Sequence, residues 1–209
     1  MSLLNKLFNF VILTTKKYNI DESHGVKHSI DVLHYASGIY QNERYNNASL
    51  EKQERIIYVS AILHDMCDKK YMNENEGIQN IEEFLQEKIP SEEIDITKKI
   101  ISTMSYSTVK KNGFPDLQEY QLAYHIVREA DLLCAYDFDR SMIYNMYVSG
   151  GNIDTAFTDS ENLFNNRVFK HFDDKLFITD FSKKKALILQ TQSIQQMNVW
   201  RGMVKNPIF

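Results

Sequence analysis

The 209-residue chain is predicted to be all-α, and three observations carry that expectation. Glycine and proline number only 7 and 3, which leaves little material for the tight turns of a sandwich or barrel. The long segments repeat their apolar residues at helical spacing. Capping residues stand where several of those segments begin.

The first segment reads as an amphipathic helix with Leu3, Leu4, Leu7, Phe8 and Ile12 facing the core. Lys6, Asn5 and Asn9 interrupt its apolar character, and no small-residue cleavage site follows, so a signal peptide is not expected. Asp21 and Ser23 supply cap chemistry for a second helix, about His24 to Gln41, with Val26, Ile30, Leu33, Ser37 and Tyr40 as its buried line. A third helix runs from about Leu50 to Cys67 and a fourth from Glu76 to Lys88. Pro90-Ser91 with Glu92 and Glu93 opens a fifth, burying Ile94, Ile100, Ile101 and Met104.

Ser105 to Pro115 reads as a loop. A sixth helix starts near Asp116, passes Asp131 and extends to Val148 with a break around Asp137. Ser149-Gly150-Gly151-Asn152 reads as a hinge and Ile153 to Thr158 as irregular. Two helices, about Glu161 to Leu176 and Ser182 to Val204, close the chain. The expected organisation is one helical domain over residues 1–209, with 149–209 as a C-terminal helical subdomain or lid.

A hydrophobic content of 43% over this length is enough for a substantial core. The formal charge of -4 offers no basic field for duplex nucleic acid. No apolar stretch reaches the roughly 20 residues of a membrane span. Cys67 and Cys134 make no disulfide framework and suit a reducing compartment. The expected setting is therefore cytoplasmic.

His64-Asp65 ends the apolar run Ile56 to Leu63, where a buried charge has to be paired or bound to a metal. His28 lies upstream and Asp131 downstream, each in its own helical pattern. Two histidines and two aspartates from three helices suit a divalent transition metal. His24 and His28 are four apart, with Asp31 three further on, and Asp68 follows His64 and Asp65 by one turn. The same spacing also fits a polar helix end in water, and Asp131 alone also fits a paired structural carboxylate.

These residues resemble the HD-domain metal-dependent phosphohydrolases, whose signature is His, then His-Asp, then a distant Asp, all on helices. The chain is most similar to the small single-domain branch that includes nucleotide pyrophosphohydrolase-like members. The resemblance is carried by Asp21-Glu22-Ser23-His24 with His28 and by Ala61-Ile62-Leu63-His64-Asp65 with Asp68 and Lys70. It continues through Ile100-Ile101-Ser102 with Ser105-Tyr106, Glu129-Ala130-Asp131, and His171-Phe172 with Lys175-Leu176. The ordered blocks span about residues 15 to 195.

The resemblance implies a compact HD-type bundle that holds one divalent ion (Mn, Fe, Co, Ni, Zn or Mg) on His28, His64, Asp65 and Asp131. It implies Asp68 as general acid/base and His24 as a catalytic or phosphate-contacting neighbour. Lys70 and Lys175, in matching blocks, are candidates for phosphate oxygens, as is Arg128. His171 is a candidate substrate contact, with Tyr106 and Tyr136 placed near a base or ribose. The implied activity is phosphohydrolysis of a nucleotide or similar small phosphorylated molecule, with metal-activated water as nucleophile. Within it, the branch implies cleavage between the α and β phosphates of a nucleoside triphosphate ahead of monophosphate hydrolysis. The alternative is a non-catalytic metal- and nucleotide-binding regulatory protein with a degenerate site. Gly25, Asp31, Leu132 and Cys134 motivate it, because the branch has other residues at those positions.

Overall fold

The computed structural model describes residues 1–205, and every regular element among them is helical. The helices are α1 (Leu3–Tyr18), α2 (Val26–Glu43), α3 (Glu54–Leu63), α4 (Glu74–Leu85) and α5 (Ser91–Thr103). They continue as α6 (Tyr106–Asn112), α7 (Gln121–Cys134), α8 (Phe138–Val148), α9 (Ile153–Asn166) and α10 (Asp180–Lys205). Short 3₁₀ turns occupy Ala48–Gln53, Gln118–Tyr120 and Val168–Lys170. The all-α expectation is met. Of the residues 149–209 set apart by the sequence, 206–209 lie outside the described residues. No described helix is long and apolar enough to cross a membrane.

α3 organises the interior. Ile56, Ile57, Val59, Ser60, Ala61, Ile62 and Leu63 are all buried, and from Val59 to Leu63 the helix is enclosed on every side. Ile56, Ile57 and Ala61 enter one apolar cluster with Val32, Ile100 and Ile126. Val59, Ile62 and Leu63 enter a second with Leu7, Val11, Ile81 and Leu85. Each such aliphatic side chain contributes about 1.5–3 kcal/mol when fully buried. α7 is enclosed in the same way, with Ala123 through Ala130 all buried. Ala156, Phe157, Phe164, Val168, Ala186 and Met197, all after Gly151, join the first cluster.

Several local expectations are corrected. α1 buries Leu7, Val11 and Thr14, while Leu4 and Ile12 are 48% and 37% exposed. A single stripe at i, i+4 and i+7 is all that its neighbours cover. α2 buries His28, Ser29, Val32, Ala36, Ile39 and Tyr40 and leaves Ile30 at the surface. The small side chains Ser29 and Ala36 permit a close approach that the hydrophobic count missed. Gly25, not Asp21 or Ser23, is the N-cap of α2. Asp21 instead accepts hydrogen bonds from the Ser23 N–H and hydroxyl.

The loop expected at Ser105 to Pro115 contains α6, capped by the Ser105 hydroxyl accepting from the Thr108 N–H. Ile153 to Thr158, expected as irregular, opens α9 under an Asn152 cap. The helix expected to reach Leu176 stops at Asn166 and gives way to a 3₁₀ turn and a left-handed residue at Lys175. The break at Asp137 stands: its carboxylate caps α8 by accepting from the Asp139 and Arg140 N–H groups. Gly150 and Gly151 take positive φ, 63° and 89°, which explains the glycine pair at this turn.

Candidate metal centre

α2, α3 and α7 pack against one another and assemble the site. His28 stands in the first turn of α2, His64 and Asp65 follow the last turn of α3, and Asp131 lies near the end of α7. His28 Nε2 and His64 Nε2 are 3.1 Å apart. Asp65 places Oδ2 3.2 Å from His28 Nε2 and Oδ1 3.3 Å from His64 Nε2. Asp131 Oδ1 lies 3.3 Å and 3.6 Å from the same two nitrogens. The donors of His28, His64 and Asp65 all fall within 4.8 Å of one another, and this buried group could hold a metal ion.

The donor set fits a cation. Neighbouring ligands about 2.1 Å from a common ion stand roughly 3 Å apart, the spacing found here. The His64 Nδ1–H donates to the Ala61 carbonyl at 3.0 Å, which directs Nε2 at the cluster, where a bound ion would take the place of its proton. Asp65 Oδ2 and His28 Nδ1 are buried without a hydrogen bond. The cluster also sits at the C-terminal end of α3, where the helix dipole is negative.

Burial disfavours charge on His64, Asp65 and Asp131, but their mutual attraction outweighs it. The two carboxylates lift His64 well above its ordinary value, and the two histidines hold Asp65 and Asp131 well below theirs.

The cluster opens into a cavity of about 380 Å³ lined also by His24, Asp68, Lys70 and Tyr106. Asp68 Oδ1 accepts the Lys70 N–H at 2.9 Å, and its Oδ2 is 3.7 Å from Lys70 Nζ. Lys70 Nζ also donates to His24 Nε2 at 2.9 Å. The other His24 nitrogen lies 2.7 Å from Ser23 Oγ and 3.1 Å from Tyr71 Oη. Burial pushes the His24 pKa down to about 3, so the ring is neutral at ordinary pH and both its nitrogens are engaged.

Other predicted contacts lie away from this cavity. Arg128 is 1% exposed and donates to the Leu176 carbonyl and to Glu129. Lys175 is exposed on its left-handed turn and is not among the cavity residues. Tyr136 is buried against His171 and lines a separate hollow of about 720 Å³. Asp31 and Cys134 face that hollow too, and Gly25 caps α2, so of the four residues at which the chain differs from the family it resembles only Leu132 lines the site cavity.

The sequence reading missed Arg140, Tyr144 and Arg167, all of which line the cavity. Arg140 stands three residues beyond the Asp137 cap and Arg167 just past the end of α9. Nothing local marks either, because their approach depends on how α8 and α9 fold back.

His171 is fully buried between Tyr106 and Tyr136, with both ring nitrogens lacking a hydrogen bond. Burial, then the nearby Arg167 charge, pushes its pKa down to about 3. A lowered histidine pKa means the unfolded chain binds the extra proton first. The associated stability is complete above pH 6.5 and is lost as pH falls toward 3, at up to about 1.4 kcal/mol per pH unit. Urea titrations at pH 7 and pH 5 should therefore show a stability gap that shrinks by about 2 kcal/mol in His171→Leu.

Among known proteins, no family model, curated sequence or solved structure matches this chain.

Proposed function

We propose that this chain is an HD-type metal-dependent phosphohydrolase acting on a nucleotide or similar small phosphorylated molecule. The observation that supports it most is the convergence of His28, His64, Asp65 and Asp131 from three helices beside a cavity of about 380 Å³. His28, His64 and Asp65 would hold the ion, with Asp131 as the fourth ligand. When bound, the ion would supply Lewis acidity toward water and a phosphoryl oxygen.

The chain's own groups supply the rest. Asp68 borders the cavity one turn beyond the ligands and takes the role of general base toward water and then general acid toward the leaving oxygen. Lys70, held between His24 and Asp68, presents its ammonium to phosphate oxygens. His24, neutral and engaged at both nitrogens, positions Lys70 rather than exchanging a proton itself.

The test is turnover of nucleoside mono- and triphosphates with Mn²⁺, resolving phosphate from pyrophosphate. His64→Ala should abolish it. Asp68→Asn should lower kcat by about 10²–10⁴-fold while Mn²⁺ still binds. An unchanged rate in Asp68→Asn would remove Asp68 from the mechanism. Stoichiometric Mn²⁺ binding without turnover on any phosphate ester would favour a binding protein instead.

A further inference from the structure

Arg140 and Arg167 reach the cavity from α8 and from the end of α9, elements that contribute nothing to the His/Asp cluster. Among the described residues the Arg167 side chain has no carboxylate within 4 Å and no hydrogen bond, and its guanidinium sits 4.2 Å from the Tyr106 ring centroid. Arg140 donates Nε–H to the Ser23 carbonyl, and its terminal nitrogens have no acceptor among the described residues. By contrast, Arg55, Arg128 and Arg201 each face a carboxylate.

The Tyr106 platform is itself held in place. Its hydroxyl donates to Asp174 Oδ2 at 3.3 Å, and Lys110 Nζ donates to the same oxygen at 2.8 Å. The His171 ring stands 5.5 Å from the Tyr106 ring. Arg167 is thus oriented before any ligand arrives, which lowers the entropy lost on binding. Unspent guanidinium donors match the paired oxygens of a phosphate, which a lysine meets only as a point charge.

We propose that Arg140 and Arg167 are specificity-determining residues that together bind a second anionic group of the substrate, beyond the phosphoryl group at the His/Asp cluster. The two arginines would then favour a phosphate ester with two or more linked phosphates, the class that the pyrophosphohydrolase-like resemblance already implies, over a monophosphate. The assignment rests on the phosphohydrolase reading for which phosphoryl group reacts, but the anion binding can be measured without turnover.

The probes are imidodiphosphate, which keeps two linked phosphoryl groups, and inorganic phosphate, titrated calorimetrically with and without Mn²⁺. Arg167→Gln and Arg140→Gln should each weaken imidodiphosphate by about tenfold or more, with a smaller effect on phosphate. Arg167→Lys should recover only part of the loss. Arg167 is exposed, and an unchanged thermal midpoint checks that its variants fold. Wild-type imidodiphosphate affinity in Arg167→Gln would overturn the proposal, as would equal losses for both probes or no wild-type binding of imidodiphosphate. None of these outcomes bears on whether Asp68 and His64 variants lose turnover, so the two readings fail separately.

Discussion

Asp65→Ala is expected to weaken Mn²⁺ binding by about 100-fold or more, a loss of about 2.7 kcal/mol. Asp65 is the one residue whose two oxygens address both histidines, at 3.2 Å and 3.3 Å. Its loss leaves His28 Nε2 and His64 Nε2 3.1 Å apart with only the more exposed Asp131 to offset a cation's charge. At a Mn²⁺ concentration of about 100 times the wild-type Kd, binding should stabilise the wild-type fold by about 2.7 kcal/mol and the variant by only a few tenths. Calorimetric titration and thermal unfolding, each with and without Mn²⁺, measure the two quantities. Equal affinity in both proteins would place the ion elsewhere, and a wild-type chain that binds no divalent ion would end the metal-centre reading.

Glu129→Ala should be the most damaging single substitution for the fold, at about 3–5 kcal/mol. Glu129 is fully buried two residues before Asp131. It accepts the Ile178 N–H at 2.6 Å and the Thr179 hydroxyl at 2.6 Å, with the Thr179 N–H and Arg128 slightly further off. Arg128 in turn donates to the Leu176 carbonyl. The pair clips the Leu176–Thr179 segment onto α7 and so sets where α10 begins. Alanine would leave a buried guanidinium and several donors unpaired, the costly way to break such a pair. Urea unfolding measures the loss, and Glu129→Gln, which keeps an acceptor oxygen, should lose less. A loss below about 1 kcal/mol in Glu129→Ala would mean that water reaches this position.

The Glu129 clip also shows why part of the site was illegible. Arg128 reads in the sequence as a free cation near a candidate metal ligand, yet Arg128 and Asp131 lie on one helix with different surroundings, one sealed and one at the cavity. His171 reads as a ligand contact because it is an imidazole in a patterned block, and it is sealed behind Tyr106. Burial of a polar side chain depends on what packs over it, which no local spacing reports. The buried face of α2 differs from its hydrophobic pattern for a related reason: small Ser29 and Ala36 are buried by close approach, whereas Ile30 is not covered.

By itself the sequence determined the all-helical class, the buried run of α3, the break at Asp137 and the buried His64-Asp65 pair at the end of an apolar helix. All four follow from patterns that short-range physics enforces: helical periodicity, capping, and the cost of ending an apolar helix on charged groups. The grouping of His28 with that pair needed the packing of α2 against α3. The tertiary structure alone decided which cations face the cavity. Lys70, Arg140 and Arg167 line it, while Arg128 and Lys175 do not. Long basic side chains are chosen for a site by the folding-back of distant helices, and that choice is made by packing across the whole chain rather than by any residue's neighbours in sequence.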